Sequence, residues 1–170
     1  MYKILVVDDE SIEREGISFL IEKYKFPLEV AQATNGKTAL EYMRTHPIDI
    51  LLTDVKMPQM DGLELARHTF EKYPDVRILV FSAYGEFEFA KKAMAAQAVS
   101  YLLKPIEVDE FQRVMTQIIA QCDELSEKKK DEQQRGEEYR QQLLFRLVTG
   151  TGLGKAHITE EWFSGQTLCL

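Results

Sequence analysis

The chain has 170 residues, 45% of them hydrophobic, and a formal net charge of -7 with both signs well represented. That suffices for one ordinary domain plus an appendage, and it argues against tight nucleic-acid binding by this piece alone, since such a surface needs a basic patch. Cys122 and Cys169 are too far apart for a metal pair or a disulfide framework, acids arrive at Asp8 and Asp9 before any long apolar run, and no stretch could span a bilayer, so a reduced, cytoplasmic protein without membrane contact is expected.

In chain order, the apolar run at 3–7 reads as a strand buried on both faces and ends at Asp8. A helix is predicted over 12–24, with Ile12, Ile17, Phe19, Leu20 and Ile21 favouring one side, until Pro27 stops it. A second strand covers 28–34. Asn35-Gly36 turns the chain into a helix over 37–45. A third strand, 48–53, ends at Asp54. Asp61 can cap a third helix running to about Lys72. Pro74 leads into a strand over 76–81 that ends at Ser82. A helix over 86–96 follows, then a strand over 99–103, Lys104-Pro105, and a fifth helix from near Val108. Five strands alternating with five helices imply an α/β fold, a parallel sheet with helices on both faces.

After Leu125 the composition changes. Residues 126–142 are rich in Glu, Gln, Lys and Arg, contain Gly136, and suit a helical linker. Phe111, Met115, Ile118, Cys122 and Leu125 recur at helical spacing, as a buried helix face or the start of a coiled-coil seam, and apolar spacing returns at Tyr139, Leu143, Leu144 and Leu147. The expected division is a domain over 1–124 and, over 125–170, a helical linker with an incomplete C-terminal segment. Residues 150–155 imitate a phosphate loop, but Thr149 stands where the pattern needs glycine and Ala156 where it needs a hydroxyl. His46, His68 and His157 have no ligand spacing.

In parallel sheets, ligands sit at the carboxyl ends of strands. There the sequence places Asp8, Asp9, Asp54, Ser82 and Lys104 on one edge. Clustered carboxylates repel one another unless a cation intervenes, and Mg²⁺, hard and oxygen-loving, suits them. A carboxylate can attack a phosphoryl group, while a cation, an ammonium, a hydroxyl and backbone N–H groups hold the charge that spreads over its oxygens.

The stretches Val6-Val7-Asp8-Asp9-Glu10, Leu52-Thr53-Asp54-Val55-Lys56-Met57-Pro58-Gln59-Met60-Asp61-Gly62, Ser82-Ala83-Tyr84 and Tyr101-Leu102-Leu103-Lys104-Pro105 resemble the receiver domains of two-component response regulators, in chain order over roughly residues 1–124. The resemblance implies a flavodoxin-like, doubly wound five-stranded sheet of order 2-1-3-4-5. It implies that Asp54 is the phosphoacceptor, that Asp8, Asp9, Asp54 and the Lys56 carbonyl hold Mg²⁺, that Lys104 contacts the phosphoryl group, and that Ser82 and Tyr101 are the switch hydroxyl and aromatic. Pro58 and Gly62 are expected to shape the loop after Asp54, and Pro105 to follow a cis bond that aims Lys104 into the site. Lys56 and Tyr84 are expected to flank the phosphoryl group and slow its hydrolysis.

The segment from Ser82 to Ala93 is similar to regulators that end in an AraC-type helix-turn-helix domain. The receiver resemblance implies a sensor histidine kinase as phosphodonor and a homodimer of the phosphorylated form, and the AraC-type similarity implies DNA contact only through a domain outside this chain. A stand-alone receiver acting by phosphotransfer or protein contact is the alternative. A dehalogenase-type phosphatase is disfavoured because Lys56 occupies the place of its second aspartate. The chain is therefore expected not to be an enzyme but a phosphoacceptor with Mg²⁺-dependent self-phosphorylation and self-dephosphorylation. The tail over 151–170 does not read as a complete domain: either the chain is a piece of a longer one or the tail is disordered.

Overall fold

A computed structural model describes residues 1–83 and 99–149. Its elements are β1 (Tyr2–Val7), α1 (Ser11–Lys23), β2 (Leu28–Ala33), α2 (Gly36–Thr45), β3 (Ile50–Asp54), α3 (Gly62–Lys72), β4 (Arg77–Ala83), β5 (Val99–Lys104) and α4 (Val108–Thr149). All strand pairs are parallel and the order is β2-β1-β3-β4-β5, the doubly wound arrangement expected from the sequence. The helix expected over 86–96 and the segment from 150 lie outside the described residues.

Period-two alternation along the strands explains the two-sided core. Ile4 and Val6 of β1, Ile50 and Leu52 of β3, Leu79 and Phe81 of β4 and Leu102 of β5 face a layer with Ile17 and Ile21 of α1 and Phe111, Met115, Ile118 and Cys122 of α4. Leu5, Val7, Leu51, Ile78 and Val80 face the other layer, with Ala39 and Met43 of α2 and Leu65 and Ala66 of α3. Strands that bury both faces are apolar at almost every position, which is why their runs stand out in the sequence. One expectation for α1 needs correction. Ile17 and Ile21 are buried, but Ile12 and Phe19 are 74% and 60% exposed. They lie seven residues apart on a separate stripe, and the sheet covers only the first stripe.

Helix starts follow local chemistry. Asn35 caps α2 in a reciprocal box with Thr38, and Asp61 caps α3 by accepting from the Glu64 amide at 2.7 Å. α4 continues unbroken through Gly136. The first compact unit runs from Met1 to Glu127, and every described side chain from Lys128 to Thr149 is exposed. Among the described residues no helix is long and apolar enough to cross a membrane.

Two glycines fasten the loop between β3 and α3. A Cβ on Gly62 would lie 1.7 Å from the Asp54 carbonyl oxygen and 2.8 Å from Thr53 Oγ1. Only hydrogen fits there, and the Gly62 amide donates to the Val55 carbonyl at 2.9 Å. A Cβ on Gly36 would lie 2.6 Å from Met60 Cγ, so the start of α2 is the surface on which that loop rests. Gly62→Ala must displace the end of β3. We expect it to destabilise the protein by about 1–3 kcal/mol in urea denaturation, the usual cost of overpacking a filled site. Parent-like stability would show that the loop yields freely.

At the opposite edge of the sheet, the Tyr2 hydroxyl donates to Asp123 Oδ1 at 2.6 Å and ties β1 to α4. That bond to a carboxylate raises the Tyr2 phenol from 10.0 to about 12. A raised value in the folded state means that folding holds the proton more tightly. The bond's contribution is therefore complete below pH 10.0 and is lost as the pH climbs to about 12. Tyr2→Phe should be less stable than the parent at neutral pH, and the gap should close across that window. Denaturation midpoints at stepped pH would check this, and a gap that is absent or independent of pH would contradict it.

Candidate functional site

The alternation that builds the core also assembles the charged site. Counting outward from Val6, Leu52 and Leu102 places Asp8, Asp54 and Lys104 on the same face, the one covered by α1 and α4. All three stand at the carboxyl ends of their strands. β1 and β3 are neighbours whose connections leave in opposite directions, the switch point at which doubly wound sheets open a crevice. Asp54 and Ser82 lie within the last residues of β3 and β4, slightly inside the ends expected from the sequence.

Asp8 is 1% exposed and Asp54 7% exposed. The Lys104 ammonium reaches both, at 3.0 Å from Asp8 Oδ2 and 3.1 Å from Asp54 Oδ1. It also lies 4.6 Å from the centre of the Phe81 ring, in cation–π contact. Burial pulls the ammonium down, but hydrogen bonds to Asp8 and Asp54 and their charges outweigh it, so its pKa lies above the ordinary 10.5. The second oxygens are held by backbone: Asp8 Oδ1 accepts from the Glu10 amide at 2.8 Å, and Asp54 Oδ2 from the Lys56 amide at 3.0 Å. The Lys104–Pro105 peptide is cis.

The remaining candidates surround this centre. Asp9 is exposed and follows Asp8 directly. Lys56 is exposed, and its amide points into the site through the bond to Asp54. Pro58 is exposed in the β3–α3 loop, where its carbonyl accepts from the Met60 amide at 2.9 Å and Gln59 takes a φ of 72°. Ser82 is fully buried. Counting from Val80 puts it on the opposite face of the sheet, where Tyr101 packs half-buried. β4 pairs Val80 with Tyr101 and Ser82 with Leu103, so Ser82 and Tyr101 are diagonal neighbours on that face. Tyr84 lies outside the described residues.

Two contributors were missed in the sequence. Phe81, read only as a strand residue, lies beneath the ammonium. Arg14, in the first turn of α1, donates from a terminal guanidinium nitrogen to the Asp8 carbonyl at 2.6 Å. Helix side chains lean toward the N-terminus, so a long cation in the first turn reaches back toward the preceding strand end. That was the available clue.

The donor set fits Mg²⁺. Asp8, Asp9, Asp54 and the Lys56 carbonyl offer only oxygen, and two of the carboxylates already converge on a cation, the Lys104 ammonium. Among the described residues no three His, Cys, Asp or Glu side chains close into a cage.

Comparison with known proteins agrees with this geometry. The family model "Response regulator receiver domain" matches residues 4–116. The chain is 41% identical over 122 residues to the uncharacterized transcriptional regulatory protein YesN of Bacillus subtilis, covering 71% of this chain and 33% of YesN. It is 33% identical over 120 residues to the response regulator GacA of Pseudomonas aeruginosa, covering 71% of this chain and 56% of GacA. The crystallised receiver domain of AraT from Geobacillus stearothermophilus superimposes with a TM-score of 0.67 at 37% identity, covering 75% of this chain and 98% of that domain. The matched part thus spans a third to about half of the curated relatives' length. A site at the sheet's switch point, a sheet of order 2-1-3-4-5 and a family match over residues 4–116 together place this chain in the receiver-domain family of two-component response regulators.

Proposed function

We propose that the chain is the phosphoacceptor part of a phosphorelay regulator. A carboxylate oxygen of Asp54 attacks the phosphorus of a sensor histidine kinase's phosphohistidine. The P–N bond breaks, the imidazole nitrogen keeps the electron pair, and Asp54 carries an acyl phosphate. The observation that supports this reading is the convergence of Asp54 and Asp8 on the Lys104 ammonium. Asp8, Asp9, Asp54 and the Lys56 carbonyl would hold Mg²⁺, which supplies positive charge for the phosphoryl oxygens. Lys104 supplies a second charge, and the Lys56 amide, now bonded to Asp54, supplies an N–H.

The diagonal placement of Ser82 and Tyr101 supports a switch in which the hydroxyl moves toward the phosphoryl group and the ring turns into the space left behind. This is a shift between two existing populations. A second copy would pair with the face of the segment over 86–96, β5 and the start of α4. Lys56 and Tyr84 would restrict water and keep the phosphoryl group for on the order of minutes to hours rather than seconds. The output would be transcription, through a DNA-binding domain outside this chain and of AraC type. The similarity to YesN favours this over a stand-alone receiver. On this reading the protein works in the cytoplasm as a regulator, with a receiver over residues 1–124 followed by a linker.

Incubation with acetyl phosphate and Mg²⁺ should add one hydroxylamine-labile phosphoryl group by intact mass. Chelating the ion should prevent the gain, and Asp54→Ala should abolish it. A gain of the same lability in Asp54→Ala would refute the assignment.

A further inference from the structure

All four polar atoms of Asp8 are held. Its amide donates to the Ala33 carbonyl at 3.3 Å, Oδ1 accepts from the Glu10 amide, and Oδ2 meets Lys104. Its carbonyl is held by Arg14 at 2.6 Å. The guanidinium is itself oriented. Its Nε donates to Gln32 Oε1 at 3.3 Å, Gln32 Nε2 donates to Ser18 Oγ at 3.0 Å, and Ser18 Oγ donates to the Arg14 carbonyl at 2.8 Å. A ring of bonds from α1 to β2 and back thus aims one cationic side chain at one peptide oxygen.

We infer that Arg14 is a positioning residue for the cation-binding acids: it locks the Asp8–Asp9 peptide and thereby aims Asp9. The peptide is planar, so a fixed Asp8 carbonyl also fixes the amide and Cα of Asp9. Asp9 is exposed, so packing does little to orient its carboxylate. The backbone on which it hangs does that instead. Arg14 has two opposed effects on a divalent ion. Its charge repels the ion, while its hydrogen bond presents a ligand to it. Arg14 is only half-buried, so solvent and salt screen the charge. The bond is short and specific, and loss of a partner that orients a metal ligand typically weakens binding by about 10–100-fold. Positioning therefore outweighs repulsion.

This inference rests on the cation reading proposed above, and the test separates the two. Titrate Mg²⁺ alone into the metal-free protein by calorimetry, and follow hydrogen exchange at the Glu10 amide before any metal is added. Arg14→Met should weaken Mg²⁺ binding by about tenfold, and the Glu10 amide should lose protection while amides of β1 and β3 keep theirs. Arg14→Lys keeps the charge but loses the bond to Gln32, and should also bind more weakly. Gln32→Ala, an exposed site that leaves the core untouched, should shift both readouts the same way by less. If Arg14→Met binds Mg²⁺ as well as the parent or more tightly, charge and not position is what Arg14 contributes, and the inference is overturned. Should the parent itself bind no Mg²⁺, the cation reading fails. The Glu10 amide then decides the inference alone, and unchanged protection in Arg14→Met overturns it.

Discussion

The Lys104 ammonium stands 3.0 Å from one buried carboxylate and 3.1 Å from another, and the upper edge of the sheet is organised around it. Asp8, Asp54 and Lys104 come from three strands, and β4 lies between the acids and the lysine. Strands are spaced about 4.8 Å apart, so the side chain must cross roughly 10 Å to reach β3. A long aliphatic stem achieves this by lying over Phe81. Two carboxylates buried to this degree without a cation would be costly, and removing one partner of a buried ion pair usually costs about 3–5 kcal/mol. The cluster is thus both a structural tie across the strand ends and a store of charge at the point where the sheet opens.

On the proposed function, the same cluster would also receive a transferred anion. Asp54 is kept beside an ammonium and a backbone N–H, the groups that a phosphoryl group would need once attached. The proposed switch must then cross the sheet. Asp54 belongs to the face under α1 and α4, whereas Ser82 and Tyr101 belong to the other. β4 is the bridge: Phe81 pairs with Asp54 in register, and Ser82 is the next residue. Neighbouring residues on one strand point to opposite faces, so a change at one is presented directly to the other.

Much of this was legible in the sequence. Apolar runs identified β1, β3 and β4 as strands buried at almost every position, and the polar residues closing β1, β3, β4 and β5 marked the candidate site. Alternation along each run even gives the face on which Asp8, Asp54 and Lys104 meet. What the sequence withheld has physical reasons. Ile12 and Phe19 form a second apolar stripe on α1, and only the position of the sheet decides which stripe it covers. Gly62 reads as a loop glycine, because its demand is set by the Asp54 carbonyl in a contact that no side-chain pattern records. Arg14 was passed over because its partner is a main-chain oxygen, which every residue has. The helical reading of residues 126–142 allowed for Gly136, and α4 runs through it, since one glycine costs a helix only about 1 kcal/mol and its neighbours are strong helix formers.

The central claim is that Asp8 and Asp54 together hold the Lys104 charge in place. Its most direct test is the titration of the Lys104 ammonium, followed by NMR of the selectively labelled side chain in metal-free protein. In the parent, the midpoint should lie above 10.5, because the two carboxylates outweigh burial. In the doubly substituted Asp8→Asn, Asp54→Asn protein, burial remains and the charges are gone, so the midpoint should fall below 10.5. A midpoint that stays raised in the double variant would contradict the account.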